Sequence, residues 1–300
     1  MVVMFSEAPS ATSSTAPRHA LVTAAASRTV LLVTAAAGCA VAFVVAYLLF
    51  VRTASGQQVE NGVVHSAQSG KSTVDWAAPL QHADLVVALG GVAVLVLAIA
   101  LARRRFALGV TALVLLITPM LAAQLLKLYV LDRPSMNDGL AVASHNSFPS
   151  GHVSAATAVV LALGVVLPAR FRTWVLAVGS LGVAWVAAAT VALGWHRLSD
   201  TVGGSLLVAA VVCAGAAVVS ARRPDATGVP LVPVLVTLLA PSALVLGGYA
   251  VLATATSGAA QFVAAMVLAA ASSVAVVLLV SGPIRRVNFD PARAGSRLSR

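Results

Sequence analysis

Eight long apolar runs constrain this chain more than any other feature of its sequence. A transmembrane helix needs about 20 mostly apolar residues, and only a helix satisfies its own backbone hydrogen bonds in lipid. Such runs occupy 29–51, 84–102, 106–126, 152–168, 173–195, 201–220, 229–253 and 260–281. The sequence therefore predicts an all-α, polytopic membrane protein with about eight transmembrane helices.

The composition excludes two broad classes of protein. Apolar residues make up 60% of the 300 residues and charged residues only 9%, whereas soluble domains carry about 25% charged residues. The chain is therefore neither an ordinary soluble enzyme nor a disordered protein. Both cysteines, Cys39 and Cys213, lie inside apolar runs, which excludes a disulfide scaffold and a cysteine-based zinc site.

The distribution of basic residues predicts which side of the membrane each loop faces. Eight spans place both termini on one side, together with 14 of the 19 basic residues. These are Arg18, Arg28, Arg103, Arg104, Arg105, Arg170, Arg172, Arg222, Arg223, Arg285, Arg286, Arg293, Arg297 and Arg300. By the positive-inside rule this side is cytoplasmic, which predicts a plasma-membrane protein. Because the basic residues form scattered loop clusters without interleaved aromatic residues, we expect no nucleic-acid partner.

The opposite, outer side holds most of the other ionisable residues. Six of the nine acidic residues and five of the six histidines lie there. The five histidines are His65, His82, His145, His152 and His196. Ionisable groups at a membrane edge are costly and usually functional, so any chemistry should face outward. For His65, His82 and His145 the simpler interpretation is an interfacial or capping role.

Three short stretches concentrate the polar residues of this outer side. They are Lys-Leu-Tyr-Val-Leu-Asp-Arg-Pro at 127–134, Asn-Ser-Phe-Pro-Ser-Gly-His at 146–152 and Gly-Trp-His-Arg-Leu-Ser-Asp at 194–200. Hydropathy and charge alone place all three on the same membrane face. This agreement predicts that they form a single site.

The first two stretches suit the binding of a phosphate group. Lys127 and Arg133 bring two positive charges to one rim, and the planar fork of arginine donates paired hydrogen bonds to phosphate. Ser150 and Gly151 stand where a helix begins, and a helix N-terminus offers free N–H groups and partial positive charge to an anion.

The histidines add the chemistry of group transfer. His196 and Asp200 are four residues apart, which on a helix lets the carboxylate orient the imidazole. His152 supplies a second imidazole. Two imidazoles, a carboxylate and a cationic cradle fit nucleophilic phosphoryl transfer.

These stretches resemble the type 2 phosphatidic acid phosphatase (PAP2) family, whose membrane lipid phosphatases share their site with the vanadium haloperoxidases. The family pattern is Lys and Arg-Pro, then Pro-Ser-Gly-His, then Ser-Arg followed five residues later by His-x3-Asp. The segment 149–152 matches the middle motif fully, and His196 and Asp200 match the end of the third.

The resemblance covers the first six apolar runs and implies a domain organisation. A six-helix phosphatase core takes residues 29–224, and two appended transmembrane helices take 225–282. A flexible cytoplasmic tail at 1–28 and a basic cytoplasmic tail at 283–300 flank them.

The resemblance also implies a role for each site residue. His196 is the nucleophile that forms a phosphohistidine, Asp200 orients it, and His152 acts as general acid and then as general base. The phosphate oxygens are held by Lys127, Arg133, Ser150 and Gly151. No metal and no cofactor are implied.

The chain departs from the family pattern at two positions. Five residues separate Lys127 from Arg133 where the family usually has six, a change that a loop after Tyr129 can absorb. The Ser-Arg pair of the third motif falls on Ala189 and Thr190, so its arginine is missing. We expect Arg197, beside His196, to restore the charge.

The expected function is hydrolysis of a lipid phosphate monoester or diphosphate. Polyprenyl and glycerolipid phosphates remain equally open as substrates, and membrane lipids are the expected partners. Two alternatives remain, namely a non-catalytic transport or lipid-binding member of the fold, favoured by Thr190, and a lipid phosphotransferase. A haloperoxidase is disfavoured because such enzymes are soluble.

Overall fold

The computed structural model describes residues 18–69, 75–136, 146–222, 229–287 and 289, and within these ranges the chain is helical without strands. The helices are α1 (Arg18–Ala46), α2 (Ala54–Ser69), α3 (Ala78–Gln81), α4 (Leu85–Ala102), α5 (Phe106–Leu125), α6 (Gly151–Val166), α7 (Ala169–Ala192), α8 (Leu198–Ala221), α9 (Leu231–Thr254) and α10 (Gly258–Arg285). Single π-helical turns extend α1 over Tyr47–Val51 and α5 over Leu126–Val130.

The all-α, multi-pass architecture predicted from hydropathy is confirmed, with one correction. Each of the eight apolar runs is a helix, but only seven helices in the described ranges are long and apolar enough to cross a membrane. The exception is α6, with 16 residues, which spans about 24 Å at 1.5 Å per residue against a hydrocarbon thickness of about 30 Å. It is short because it starts at the Ser150–Gly151 turn and stops before Pro168.

The helices reach into segments that the sequence assigned to tails and loops. α1 begins at Arg18, inside the predicted tail 1–28, because its alanine-rich start has high helix propensity. Residues 1–17 lie outside the described part of the chain. α10 likewise continues to Arg285, inside the predicted tail 283–300. The outer segment 52–83 contains α2, a mostly polar helix that a search for apolar runs does not detect.

The span α8 lies at the centre of the helical bundle. It packs against α1, α5, α6 and α10, while α9 packs on α1 and α10 also packs on α7 and α2. Within the most apolar 18 residues of each span, 67% of α8 is buried but only 11% of α4. The residues at the start of α8 are therefore enclosed by the bundle, whereas α4 borders the lipid.

The two ends of the bundle differ in their side chains. At the end where α6 finishes, Arg103 donates a hydrogen bond to the carbonyl oxygen of Val166. At the same end, Arg172 donates to the carbonyl oxygen of Arg285 at 3.5 Å. The outer stretches lie at the opposite end, where α6 and α8 begin and α5 finishes. Arg103 and Arg172 therefore lie at one end of the bundle, and His152 and His196 lie at the other.

Close packing of α1 on α9 yields a stability prediction. A Cβ atom at Gly38 would lie 2.4 Å from the Thr237 carbonyl oxygen and 2.7 Å from that of Leu238. Because backbone atoms cannot yield as side chains do, we expect Gly38→Ala to cost about 1–3 kcal/mol and to lower the unfolding temperature measured in detergent.

The matched control is Gly91→Ala in α4, where an added Cβ meets no atom within 4 Å. There the higher helix propensity of alanine should leave stability unchanged or raise it by up to about 1 kcal/mol. Equal unfolding temperatures for the two variants would contradict the packing of α1 on α9.

Candidate active site

The three polar stretches meet at one end of the bundle. Asn146 Nδ2 donates a hydrogen bond of 2.7 Å to the carbonyl oxygen of Leu131, which joins the first stretch to the second. Ser150 N donates to the backbone oxygen of Asp200 at 2.8 Å, and Ser147 Oγ donates to Asp200 Oδ2 at 2.6 Å. These bonds join the second stretch to the third, so segments far apart in sequence form one cluster.

His196 is held from two directions. It precedes α8, and its Nδ1 lies 3.4 Å from Oδ2 of Asp200, which stands in the first turn of α8. The carbonyl oxygen of Thr190 accepts hydrogen bonds from the backbone N–H groups of Trp195 and His196 at 3.0 and 3.1 Å. Because Asp200 faces Nδ1, Nε2 is the ring nitrogen left to react.

His152 faces His196 across a small gap. The two ring centroids are 6.0 Å apart, and the ring planes meet edge to face at 64°. The indole of Trp195 lies 5.4 Å from the His152 ring on another side. The structure therefore brings together the two histidines that the sequence singled out.

The first turn of α6 has the geometry of an anion-binding helix start. Ser150 is the N-cap, and its Oγ accepts a hydrogen bond from Val153 N at 3.3 Å. Gly151 follows it, and an added Cβ there would meet no protein atom within 4 Å. The space in front of these N–H groups is open, next to the partial positive charge of the helix.

Two cations stand near this space. Lys127 lies half-buried in the π-helical turn after α5, where its charge interacts with those of His152 and Asp200. The helical turn ends at Val130, so a loop carries Arg133, as predicted. The Arg133 side chain is 1% exposed, and its three guanidinium nitrogens have no hydrogen-bond partner in the described part of the chain.

Both the side chain and the backbone of Arg197 are hydrogen-bonded within the cluster. Its Nη1 donates a hydrogen bond of 2.9 Å to Ser147 Oγ, and its backbone N donates one of 2.9 Å to Asp200 Oδ2. At the position where the family pattern has arginine, the hydroxyl of Thr190 donates to the Ala187 carbonyl oxygen within α7. Thr190 therefore offers no charge to a ligand. The phosphate-binding role of Arg197 stays a prediction.

Glu60 is a site residue to which sequence reasoning assigned no role. It is fully buried, and its Oε1 and Oε2 accept hydrogen bonds from Ser199 N at 2.8 Å and Ser199 Oγ at 3.0 Å. Oε2 also lies 3.8 Å from Arg133 Nη1. The available sequence signal was weak: Glu60 is the single acidic residue of α2, a helix with no motif.

The surroundings of Glu60 favour its neutral form. Burial, and after it the charge of Asp200, raise the pKa of its carboxyl, while Arg133 and Arg197 lower it, and the net pKa is about 7. The carboxyl therefore titrates near neutral pH beside a guanidinium that has no hydrogen-bond partner.

The other outer residues stand apart from this cluster. His65 and His82 are exposed, and His145 lies outside the described residues. Asp132 binds Arg52 through an ion pair of 2.6 Å at the surface. The exposure of His65 and His82 agrees with the simpler interpretation given to these two histidines.

Comparison with known proteins agrees with this geometry. The family model of the PAP2 superfamily matches residues 127–225. The chain carries a PAP2 superfamily domain. The match begins at Lys127 and includes every site residue predicted from the sequence, whereas Glu60 and the helices α1–α5, α9 and α10 lie outside it. No curated protein and no solved structure matches the chain.

The PAP2 domain supports a phosphatase-type activity, and the long apolar helices make the chain a multi-pass membrane protein. The substrate, the chemical intermediate and the membrane side are separate questions.

The raised pKa of Glu60 generates a prediction about stability and pH. Because the pKa rises from 4.5 to about 7 on folding, the contribution of this carboxyl is complete below pH 4.5 and is lost as pH rises through about 7. We expect the wild type to lose stability relative to Glu60→Gln between pH 5 and 7, by on the order of 1 kcal/mol per pH unit. Thermal unfolding in detergent across this range measures the difference.

The matched control places a carboxyl on the exposed surface of the same helix. Gln58 is exposed, so Gln58→Glu should leave the pH profile of the wild type unchanged. Parallel profiles for the wild type and Glu60→Gln would contradict the buried, proton-binding state of Glu60.

Proposed function

We propose that the chain is a lipid phosphatase that hydrolyses a phosphate monoester or diphosphate of a lipid through a phosphohistidine intermediate. The observation that carries the proposal is the pairing of His152 with His196, 6.0 Å apart, next to the buried guanidinium of Arg133 that has no hydrogen-bond partner. The guanidinium has an ion-pair partner in Glu60 at 3.8 Å but no hydrogen-bond acceptor, and a phosphate group supplies acceptors together with further negative charge.

The first chemical step transfers the phosphoryl group to His196. Asp200 accepts a hydrogen bond from Nδ1–H and so keeps the lone pair on Nε2. Nε2 attacks phosphorus, the bond from phosphorus to the ester oxygen breaks, and His152 donates a proton to the leaving oxygen. The lipid leaves as an alcohol or, from a diphosphate, as a monophosphate.

The second step returns the enzyme to its starting state. His152, now neutral, takes a proton from water as the water oxygen attacks phosphorus. The N–P bond to His196 breaks, inorganic phosphate leaves, and both histidines regain their initial protonation. No metal ion or cofactor takes part in this scheme.

The cations and the helix start stabilise the transferring group. Lys127 and Arg133 offset the charge on its oxygens, and the hydroxyl of Ser150 and the N–H of Gly151 donate hydrogen bonds to them. Arg197 supplies the charge of the arginine that is missing at Thr190. Preorganised donors of this kind lower the barrier without rearrangement during the reaction.

The proposed location is the outer surface of the plasma membrane, with both termini in the cytoplasm. Support comes from the arginines at the other end of the helices, because cytoplasmic loops carry the excess of Lys and Arg. A site at the membrane edge suits an amphiphilic substrate, whose phosphate reaches the cluster while its hydrocarbon part stays in lipid.

A phosphate-release assay tests the proposal. The purified wild type should release phosphate from at least one member of a panel of prenyl and glycerolipid phosphates, with a chelator present. His196→Ala should lower the rate by about 10³-fold or more, because it removes the nucleophile. With ³²P-labelled substrate, the wild type should carry acid-labile label that His196→Ala lacks.

The other outcomes of this assay are equally informative. Absence of release from the whole panel would favour the non-catalytic alternative suggested by Thr190. Release that persists in His196→Ala would exclude the phosphohistidine. Transfer of phosphate to an added alcohol in preference to water would make the protein a phosphotransferase.

The role of Arg197 has a test of its own. If Arg197 binds phosphate, Arg197→Ala should weaken competitive inhibition by inorganic phosphate by about 10-fold or more, as loss of a charge-assisted hydrogen bond predicts. Lys127→Ala should have an effect of similar size. A role confined to holding Ser147 predicts a lower unfolding temperature with unchanged phosphate inhibition.

A further inference from the structure

An apolar groove of about 240 Å³ adjoins the candidate active site. It lies between α4, α6 and α7, and the His152 imidazole is the single polar side chain among its lining residues in the described part of the chain. Because α4 is the least buried of the spans, the groove borders the lipid. One surface of the site is therefore continuous with a hydrocarbon environment.

The wall on α6 continues directly from His152. Ala155, Ala156 and Val159 line it three, four and seven residues further on, so all of them lie on the same face of the helix. At 1.5 Å per residue this stripe extends about 10 Å from the imidazole into the bundle. The two alanines keep the space open where larger residues would fill it.

The opposing wall on α4 has the same spacing. Leu85, Ala88, Leu89 and Val92 line it, again over seven residues, and α4 and α6 both begin at the end of the bundle that carries the site. Val186 of α7 closes the remaining side. Two parallel apolar stripes of equal length therefore enclose a channel that begins at a catalytic group.

The position of His152 indicates what this channel holds. In the proposed reaction His152 protonates the oxygen that leaves phosphorus, and that oxygen carries the lipid. In a monoester the first carbon atoms of the lipid therefore lie beside His152, where the groove begins, and in a diphosphate they follow one phosphate group further along. Each methylene group that moves from water into such a groove contributes about 0.8 kcal/mol, which gives the enzyme a means to select long chains.

A second apolar cavity of about 220 Å³ lies elsewhere, between α1, α8, α9 and α10. Phe50, Leu198, Val202 and Leu244 are among its lining residues, and neither histidine of the site is. The two chains of a diacyl lipid branch within a few atoms of the phosphate, so both would need apolar space beside His152. Of these two apolar cavities, the groove between α4, α6 and α7 is the one that His152 lines.

We infer that the groove between α4, α6 and α7 binds the hydrocarbon tail of a single-chain lipid phosphate, such as a prenyl or alkyl phosphate or diphosphate, in preference to a diacyl lipid. This inference rests on the proposed function, since it takes His152 as the acid that meets the leaving oxygen. The first 10 Å or so of the tail lies between the apolar stripes of α4 and α6.

The first experiment measures chain-length preference, the ratio of kcat/KM for farnesyl phosphate to that for butyl phosphate, with full-length protein in detergent. Ala156→Phe places a ring in the groove and should lower this ratio by at least about tenfold, the effect of excluding two methylene groups. Ala275→Phe makes the same change in the second cavity and should leave the ratio unchanged. An unchanged ratio in Ala156→Phe, or an equal fall in both variants, would overturn the inference.

The second experiment needs no turnover. A farnesyl phosphate analogue with a diazirine on its chain should label peptides from α4 and α6 in the wild type, but not in Ala156→Phe. Unlabelled farnesyl phosphate should compete more strongly than dioleoyl phosphatidic acid, and equal competition would overturn the preference for one chain.

Together the two readouts separate the inference from the proposed function. Labelling of α4 and α6 without phosphate release would support the groove and contradict the phosphatase. Phosphate release without labelling there would contradict the groove and support the phosphatase. Absence of both would contradict both.

Discussion

The buried carboxylate of Asp200 is the interaction on which the rest of the site depends. It is fully inaccessible to solvent, and its Oδ2 faces donors from Ser147, His196 and the backbone of Arg197. Its backbone oxygen accepts a further hydrogen bond from Ser150. A buried charge persists only when it is paired and hydrogen-bonded, so the need to satisfy Asp200 also draws the second and third stretches together.

The charges around Asp200 suggest a site prepared for an anion. Glu60 and Asp200 face Arg133 and Arg197, and Lys127 stands at the edge. The two acidic side chains offset only part of the positive charge, and the guanidinium of Arg133 has an ion-pair partner at 3.8 Å but no hydrogen bond. The protein thus holds these cations in place without fully satisfying them, a form of preorganisation that costs stability and favours the binding of an anion.

The helices outside the PAP2 match have a structural connection to the site. α10 packs against both α8 and α2, and the approach is close: a Cβ at Gly62 would lie 2.7 Å from Gln261 Oε1, and one at Gly258 would lie 2.8 Å from Ser66 Oγ. Since α2 carries Glu60, this packing holds the carboxylate against Ser199 and Arg133. The helix α10 thereby supports a residue that the family motifs do not include.

The sequence by itself determined the number and approximate position of the apolar helices, because a helix in lipid satisfies its own hydrogen bonds and needs only a local run of apolar residues. It also identified His152, His196 and Asp200, since their motifs are short. Tertiary structure alone decided that Glu60 meets Arg133 and that a groove opens beside His152. Both depend on which helices become neighbours, and packing between residues far apart in sequence leaves no periodic signal in the chain.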